Sequence, residues 1–159
     1  MRGKVTNVVV AGLGGQGVLK GSDILAEAAF RAGWDVKKSE VHGMSQRGGS
    51  VTSDVRFGQE VLSPMVPPGE ADYLVVLAAD QVDVNRSLLR QGGVLIAPDA
   101  VDEAALPHPK SLNVALLGVL SLHLDVAEEH WLGAIRASLP ERIHAVNEQA
   151  FAMGRATAL

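Results

Sequence analysis

Short apolar runs separated by glycine and proline dominate the first hundred residues of the chain. Runs of roughly four to eight residues that are rich in valine are typical of strands buried in a sheet. The pattern predicts strands at Val5–Ala11, Trp34–Lys38, Val51–Phe57, Tyr73–Leu77 and Val94–Ala97. In the third of these, apolar and polar residues alternate, which indicates one covered face. That strand is also predicted to form an antiparallel hairpin with Val61–Ser63.

Helical periodicity appears between the strands and dominates the C-terminal third. Predicted helices are Leu19–Ala32, closed by Gly33, then Asp83–Gln91, capped by Gly92, and finally Asn113–Leu124, Glu128–Leu139 and Glu141–Gly154. Strands that alternate with helices predict an α/β protein with an open, doubly wound sheet. The expected fold is a mostly parallel Rossmann-like sheet with an inserted antiparallel hairpin and a helical C-terminus, in one domain over residues 1–159.

The helix at Asn113–Leu124 is apolar nearly all round, so no face of it is suited to solvent. We therefore expect it in the core or at a contact between subunits. The apolar stretch Leu112–Leu124 is too short to span a bilayer. An apolar share of 47% suits either a compact core or a surface that is buried against another chain.

Charge and cysteine content exclude several functions. The net charge of −4 gives no field that attracts nucleic acid or an anionic membrane, so neither is an expected partner. There is no cysteine, which excludes a disulfide, a cysteine nucleophile and an iron–sulfur cluster held by thiolates. The five histidines lack metal-site spacing, so no metal is expected. The N-terminus has no signal-peptide layout, and the expected location is cytoplasmic.

A glycine-rich turn joins the first predicted strand to the first helix. Glycine permits a tight turn and a close approach to the backbone, and a helix N-terminus offers free N–H groups to an anion. The turn is therefore a candidate anion site, although a tight corner without a ligand, or a dinucleotide site with Glu40 binding the ribose, gives the same pattern. Its candidate residues are Gly12, Gly14, Gly15, Gln16 and Gly17.

A second candidate site is the polar loop within Glu40–Asp54. Arg47 precedes two glycines, and an arginine fork beside such a flexible turn suits a phosphate or a carboxylate. Alternatively, Arg47 pairs with Glu40 or Asp54 and only stabilises the loop. The candidate active-site residues are His42, Gln46, Arg47, Gly48, Gly49 and Ser50.

Three segments carry a resemblance to a known family: VVVAGLGGQGV, SEVHGMSQRGGSVTSDVRFG and SPMVPPGEADYLVVL. They closely resemble the gamma-type subunit of the 2-oxoacid:ferredoxin oxidoreductases. Within that family, HGMSQRGGSV is most similar to the beta subunit of indolepyruvate ferredoxin oxidoreductase. The likeness extends to Asn113 with Leu117-Gly118 and to Asn147 with Ala150-Phe151, so it covers nearly the whole chain.

The resemblance implies a complex that oxidatively decarboxylates a 2-oxoacid to an acyl-CoA and passes electrons to ferredoxin. Such a complex uses thiamine diphosphate, iron–sulfur clusters and coenzyme A. This chain has neither cysteine nor the thiamine signature, a G-D-G followed at a distance by asparagine. We therefore expect a subunit that binds no cofactor alone, has no catalytic residue of its own and is inactive without a thiamine-binding catalytic partner. Ferredoxin is then an indirect partner.

The resemblance also gives the loop a role. We expect it to face the catalytic subunit, where Arg47 and the N–H groups of Gly48, Gly49 and Ser50 hold a coenzyme A phosphate or the substrate carboxylate. His42 and Gln46 would position the loop. Two alternatives stay open: a stand-alone Rossmann-like protein that binds NAD(P) or flavin, and a pure assembly subunit with no residue near an active site.

Overall fold

The computed structural model describes residues 3–42 and 49–158. They form a five-stranded sheet with helices packed against it. The strands are β1 (Thr6–Leu13), β2 (Asp35–His42), β3 (Ser50–Gly58), β4 (Ala71–Val76) and β5 (Leu89–Ile96). The α-helices are α1 (Val18–Arg31), α2 (Val82–Asn85), α3 (Leu112–Ser121), α4 (Glu128–Ser138) and α5 (His144–Arg155). Single 3-10 turns lie at Ala79–Gln81, Arg86–Leu88, Pro98–Ala100, Glu103–Ala105, Pro109–Ser111 and Glu141–Ile143.

The sheet is mixed, with the strand order β2-β3-β1-β4-β5. β1 pairs in parallel with β4, and β4 with β5, whereas β3 is antiparallel to both β1 and β2. The predicted α/β fold with an inserted antiparallel hairpin and a helical C-terminus is confirmed. β1 is the central strand because its valines face apolar side chains on both sides of the sheet.

The position of the hairpin differs from the prediction. It is formed by β2 and β3, and Val61–Ser63 is not a strand. Backbone groups of this segment form hydrogen bonds with side chains of the hairpin instead of with a neighbouring strand. The Val61 N–H donates to Asp35 at 2.8 Å, and Arg56 donates to the Ser63 carbonyl at 2.9 Å. The segment is therefore fastened to the sheet without joining its ladder.

The predicted helix at Asp83–Gln91 was wrong in length. Only α2 and one 3-10 turn are helical there, and β5 already begins at Leu89. Gly92, which the pattern suggested as a helix cap, lies inside β5 with φ 79°, next to a register shift in the pairing of β4 with β5. A left-handed glycine closes a helix or distorts a strand equally well, so the local sequence does not separate the two.

The two faces of the sheet are covered unequally. Alternate β1 residues Val8 and Val10 pack against α1, α3, α4 and α5 in the main core. Val9 and Ala11 point the other way, into a smaller cluster covered by Val66 and by side chains around α2. One face therefore carries thick helical layers, whereas a single thin layer covers the other.

α3 lies in the core, as predicted. All residues from Asn113 to Ser121 are buried, although the helix ends at Ser121 and Leu122 is 38% exposed. α5 crosses α3 in close contact, because both helices have a glycine at the crossing. A Cβ on Gly118 would stand 2.2 Å from the Phe151 carbonyl oxygen, and one on Gly154 would stand 2.0 Å from that of Ala115.

Candidate functional site

The glycine-rich turn lies where β1 ends and α1 begins, and its residues have different roles. A Cβ on Gly12 would meet Gln16 Oε1 at 2.9 Å and Val18 at 3.0 Å, so a larger residue here would have to displace both side chains. The Gln16 side chain folds back and accepts the Leu13 N–H at 2.7 Å. Gly15, Gln16 and Gly17 line a cavity, described below. Gly15 and Gly17 have φ of 88° and 85°, the left-handed region that favours glycine.

The turn is joined directly to the polar loop. Gly14 N–H donates to the Gly49 carbonyl at 2.8 Å, which continues the pairing of Leu13 with Ser50 beyond the strand end. Ser50 Oγ in turn donates to Gln81 Oε1 at 2.8 Å. The two segments that stood out in the sequence are therefore neighbours in space.

The predicted loop residues are described only in part. The backbone of His42 ends β2 opposite Val51. Gly49 and Ser50 are described, whereas Gln46, Arg47 and Gly48 lie outside the described residues. The role of the loop thus stays a prediction, with both of its flanking strands located.

Glu40 does not stand where a dinucleotide site needs its acid. It lies on β2, and β3 separates β2 from β1, so two strand spacings of about 4.8 Å lie between Glu40 and the glycine turn. Lys38 binds Glu40 at 2.6 Å and also binds Asp23. Burial lowers the pKa of Lys38, but the hydrogen bonds to Asp23 and Glu40 outweigh it and raise that pKa overall. Glu40 is thus part of an ion-pair cluster on the sheet edge.

A cavity of about 660 Å³ opens beside the glycine turn, at the carboxyl ends of β1 and β4. The chain leaves β1 toward β2 on one side of the sheet and leaves β4 toward β5 on the other. Ligands of open α/β sheets bind in the crevice at such a switch point. The structure thus forms a cavity at the position where this class of fold commonly binds ligands.

The lining of the cavity combines apolar walls with positive charge. Its apolar residues include Leu77, Leu112, Leu139, Ile143 and Val146. Lys20, Lys110 and Arg142 supply three cations, and no carboxylate is present among the described lining residues. Two buried amides, Asn113 and Asn147, complete the lining.

Sequence reasoning did not identify the three cations as site residues. Lys20 lies in α1, whereas Lys110 and Arg142 lie in the turns that precede α3 and α5, about ninety or more residues away. No local motif marks them. The only signal was that each stands close to a predicted helix start, where an anion is favoured.

Two features are absent from the part of the chain that the structure describes. Within residues 3–42 and 49–158, no three acidic or histidine side chains come together in a way that could hold a metal ion. In the same ranges, no helix has the length and the apolar character that crossing a membrane requires.

Comparison with known proteins identifies the class to which this fold and cavity belong. Residues 7–109 match the family described as Pyruvate ferredoxin/flavodoxin oxidoreductase, and the chain belongs to that family. It is 34% identical to the indolepyruvate oxidoreductase subunit IorB of Thermococcus kodakarensis, in an alignment that covers 95% of each chain. It is also 32% identical to the pyruvate/ketoisovalerate oxidoreductases common subunit gamma of Thermococcus litoralis, over 72% of this chain and 65% of that protein. The chain is a subunit of a 2-oxoacid:ferredoxin oxidoreductase, as its sequence motifs predicted.

Solved structures support the fold. The keto/oxoacid ferredoxin oxidoreductase gamma subunit from Geobacter sulfurreducens superposes with a TM-score of 0.79 at 23% identity, over 98% of this chain and 97% of that one. The 2-oxoglutarate:ferredoxin oxidoreductase from Magnetococcus marinus gives a TM-score of 0.83 at 21% identity. There, this chain covers 31% of a much longer chain. The same fold thus occurs both as a separate subunit and within a longer polypeptide.

Proposed function

We propose that this chain is the non-cluster subunit of an indolepyruvate-type 2-oxoacid:ferredoxin oxidoreductase and catalyses no reaction alone. The substrate assignment rests on the similarity to an indolepyruvate oxidoreductase subunit, which is 34% identical in an alignment that covers 95% of this chain and 95% of that protein. That alignment runs over 193 positions, more than the 159 residues of this chain, so the relative carries additional residues within the shared region. A second relative with the same name, from Archaeoglobus fulgidus, is 54% identical over 71 residues.

The proposed division of labour follows from the chemistry of the residues. Iron–sulfur clusters are held by cysteine thiolates, and this chain has no cysteine. The clusters and thiamine diphosphate therefore belong to the partner chains, and ferredoxin receives electrons from those chains. This chain binds its partner subunits in the complex and places a loop at their active site.

The thinly covered face of the sheet is suited to a partner. Three large apolar side chains are widely exposed on the two segments that cover this face: Leu62 at 68%, Met65 at 59% and Val84 at 63%. Val66, the residue after Met65, is buried, and its N–H donates a hydrogen bond to Asp54 at 2.9 Å, which holds the segment in place. An exposed apolar patch on an ordered support is typical of a protein–protein contact.

The loop is proposed to hold an anion at the mouth of the active site. Arg47 and the N–H groups of Gly48, Gly49 and Ser50 would bind a coenzyme A phosphate or the 2-oxoacid carboxylate, with His42 and Gln46 positioning the loop. The hydrogen bond from Gly14 to Gly49 supports this role, because it attaches the end of the loop to a rigid strand end. A preorganised arginine fork binds such groups through two parallel hydrogen bonds.

The assignment is tested by purifying the complex and assaying 2-oxoacid-dependent dye reduction. Indolepyruvate should be turned over with the highest kcat/KM among indolepyruvate, pyruvate, ketoisovalerate and 2-oxoglutarate. The isolated chain should be colourless and inactive. A preference for another 2-oxoacid would refute the substrate assignment, and turnover by the chain alone would refute its role as a non-catalytic partner.

The loop is tested separately with Arg47→Ala in the assembled complex. Loss of a charged hydrogen bond should cost about 1.5–3 kcal/mol in kcat/KM, whereas the unfolding of the isolated subunit should be unchanged. Arg86→Ala is the control, because Arg86 is exposed and its only ion pair among residues 3–42 and 49–158 is with Asp83 at 3.4 Å. An unstable Arg47→Ala subunit with normal kinetics after assembly would show that the loop is only structural.

A further inference from the structure

We propose that Gln81 is a positioning residue of the active-site loop: through Ser50 it holds the end of the loop in the place from which Arg47 reaches its anion. Gln81 touches no substrate in this role. The inference adds to the loop a residue from the far side of β1. Its effect on turnover rests on the proposed function of the loop, whereas its effect on the position of the loop does not.

The hydrogen bond between Gln81 and Ser50 bridges the end of β1. Ser50 is the first residue of β3, and Gln81 follows β4, so the two residues belong to the strands on either side of β1. Ser50 Oγ donates to Gln81 Oε1 at 2.8 Å. The bond thus connects strands that are two spacings, or about 9.6 Å, apart. A long side chain that ends in an acceptor is needed to close that gap, and glutamine has both properties.

The backbone of Gln81 is fixed on both sides. Glutamine is mostly exposed in folded proteins, yet Gln81 is only 9% exposed. Its N–H donates to the Ala78 carbonyl at 2.9 Å. Its carbonyl accepts the side-chain amide of Asn85, which is also buried, at 2.8 Å. A functional side chain is placed precisely when its own support is fixed in this way, so Gln81 is suited to hold Ser50 relative to the sheet.

Two hydrogen bonds on adjacent residues set the direction in which the loop joins β3. Gly14 N–H donates to the Gly49 carbonyl at 2.8 Å and holds the main chain, and Gln81 holds the next side chain. One bond alone permits rotation about it, whereas two bonds to separate elements oppose that rotation. Arg47 is three residues from Ser50, so the two Cα atoms are at most about 11 Å apart. The position of Ser50 therefore limits where Arg47 can be placed.

The hold of Gln81 on the loop determines the kinetic effect of losing it. A loop that is already held in its binding position loses less conformational entropy when the ligand binds. One hydrogen bond between uncharged groups changes the population of the held position about two- to tenfold. The apparent dissociation constant rises by the same factor when fewer loops are competent. Loss of Gln81 should therefore raise KM and leave kcat nearly unchanged, because no group that touches the reacting atoms is removed.

Limited trypsin digestion of the full chain tests the positioning without any assay of activity. Trypsin cleaves after arginine, so the rate of cleavage between Arg47 and Gly48 measures how often the loop leaves its held position. Gln81→Leu removes the acceptor and should increase this rate about two- to tenfold. Cleavage after the exposed Arg142 reports general unfolding and should keep the wild-type rate. An unchanged rate at Arg47, or an equal increase at both bonds, would overturn the proposal.

Matched variants separate the hydrogen bond from the packing of the residue. Gln81→Glu retains both the reach and the acceptor oxygen, so it should restore the wild-type rate of cleavage at Arg47. Gln81→Asn retains the amide but is one methylene shorter, so it should behave like Gln81→Leu. Gln149→Leu is the control, because Gln149 is exposed on α5, on the other face of the sheet, and it should have no effect. If Gln81→Glu were cleaved as fast as Gln81→Leu, the hydrogen bond would not hold the loop, and the proposal would fail.

Ser50→Ala removes the other partner of the same bond. It should increase cleavage at Arg47 as much as Gln81→Leu does, and the double variant should be cleaved no faster than either single variant. Such non-additivity is the signature of two residues that act through one contact. If the two effects multiplied, the two side chains would act independently, and the proposal would be wrong.

Kinetics of the assembled complex distinguish this inference from the proposed function. Gln81→Leu should raise, about two- to tenfold, the KM of the same ligand whose KM Arg47→Ala raises, with kcat within about twofold of the wild type. If Arg47→Ala has no kinetic effect, the proposed function of the loop fails, and the trypsin result still decides the role of Gln81. If Arg47→Ala lowers kcat/KM while Gln81→Leu leaves KM unchanged, the loop works without Gln81, and this inference fails.

Discussion

The side-chain amide of Asn113 donates a hydrogen bond to the main-chain carbonyl of Gly17 at 3.2 Å. The contact joins the first residues of α3 to the residue that precedes α1, although 96 positions separate them in the chain. It exists only because Gly17 has no side chain, since a Cβ there would stand 2.5 Å from Asn113 Nδ2. The glycine turn is therefore adapted to its neighbour in α3 as well as to its own backbone conformation.

Two alanine substitutions in the turn should differ in their effect. Gly15→Ala places a Cβ in open space, so only the left-handed backbone is strained, at about 1–2 kcal/mol. Gly17→Ala has the same strain and also displaces Asn113, so the free energy of unfolding should fall by about 2–4 kcal/mol. Urea unfolding of both variants measures the difference. Equal losses would contradict the role of Asn113.

The crossing of α3 and α5 should tolerate no added methyl group. Gly118→Ala should lower the free energy of unfolding by about 3 kcal/mol or more, because the new Cβ meets the rigid backbone carbonyl of Phe151. Gly133→Ala, in α4, is the matched control. Its Cβ meets only the flexible end of Arg31, so its stability should stay within about 1 kcal/mol of the wild type. Thermal and urea unfolding measure both variants, and a neutral Gly118→Ala would show that the helices move apart freely.

The stability of the chain should depend on pH through Asp54. Burial raises the pKa of this carboxyl above its ordinary value of 3.8, although the hydrogen bond from Val66 and the charge of Arg56 oppose the shift. A raised pKa means that the folded chain favours the protonated form. The contribution of Asp54 is therefore fully present below pH 3.8 and is lost as the pH rises through the raised value.

Asp54→Asn isolates this effect, because the asparagine oxygen can still accept the Val66 N–H. The free energy of unfolding of the wild type minus that of the variant should fall as the pH rises from below 3.8 through the raised pKa of Asp54, and then stay constant. Denaturant unfolding at a series of pH values gives this difference. A difference that increases with pH would mean that the ionised carboxylate is favoured by folding, and it would contradict the prediction.

Local patterns in the sequence identified the strands and the main helices, because each element is long enough to show its characteristic spacing of apolar residues. The valines at positions 8–10 are buried in the sheet, and the alternation in β3 matches its alternating burial. In both strands the apolar pattern of the sequence therefore reports directly which side chains are covered. The segment at Val61–Ser63 has the same apolar character. Its backbone groups bind the side chains of Asp35 in β2 and Arg56 in β3, and no local pattern of apolar residues contains these contacts.

The site was accessible to sequence reasoning only where its residues are contiguous. The glycine turn is a continuous motif, and its place at the end of β1 follows from the strand before it and the helix after it. The cavity depends on Lys20, Lys110 and Arg142, which come together only after α3 and α5 have packed. Three cations far apart in the chain are indistinguishable from ordinary surface residues until the fold is known.

The hydrogen bond between Gly14 and Gly49 makes one amide proton a reporter of two motifs. The Gly14 N–H can exchange with solvent deuterium only when the Gly49 carbonyl has moved away from it. Its exchange rate therefore measures how often the junction between the turn and the loop opens. Anything that holds the loop in place, whether a ligand or a neighbouring subunit, slows the exchange of this proton without touching it.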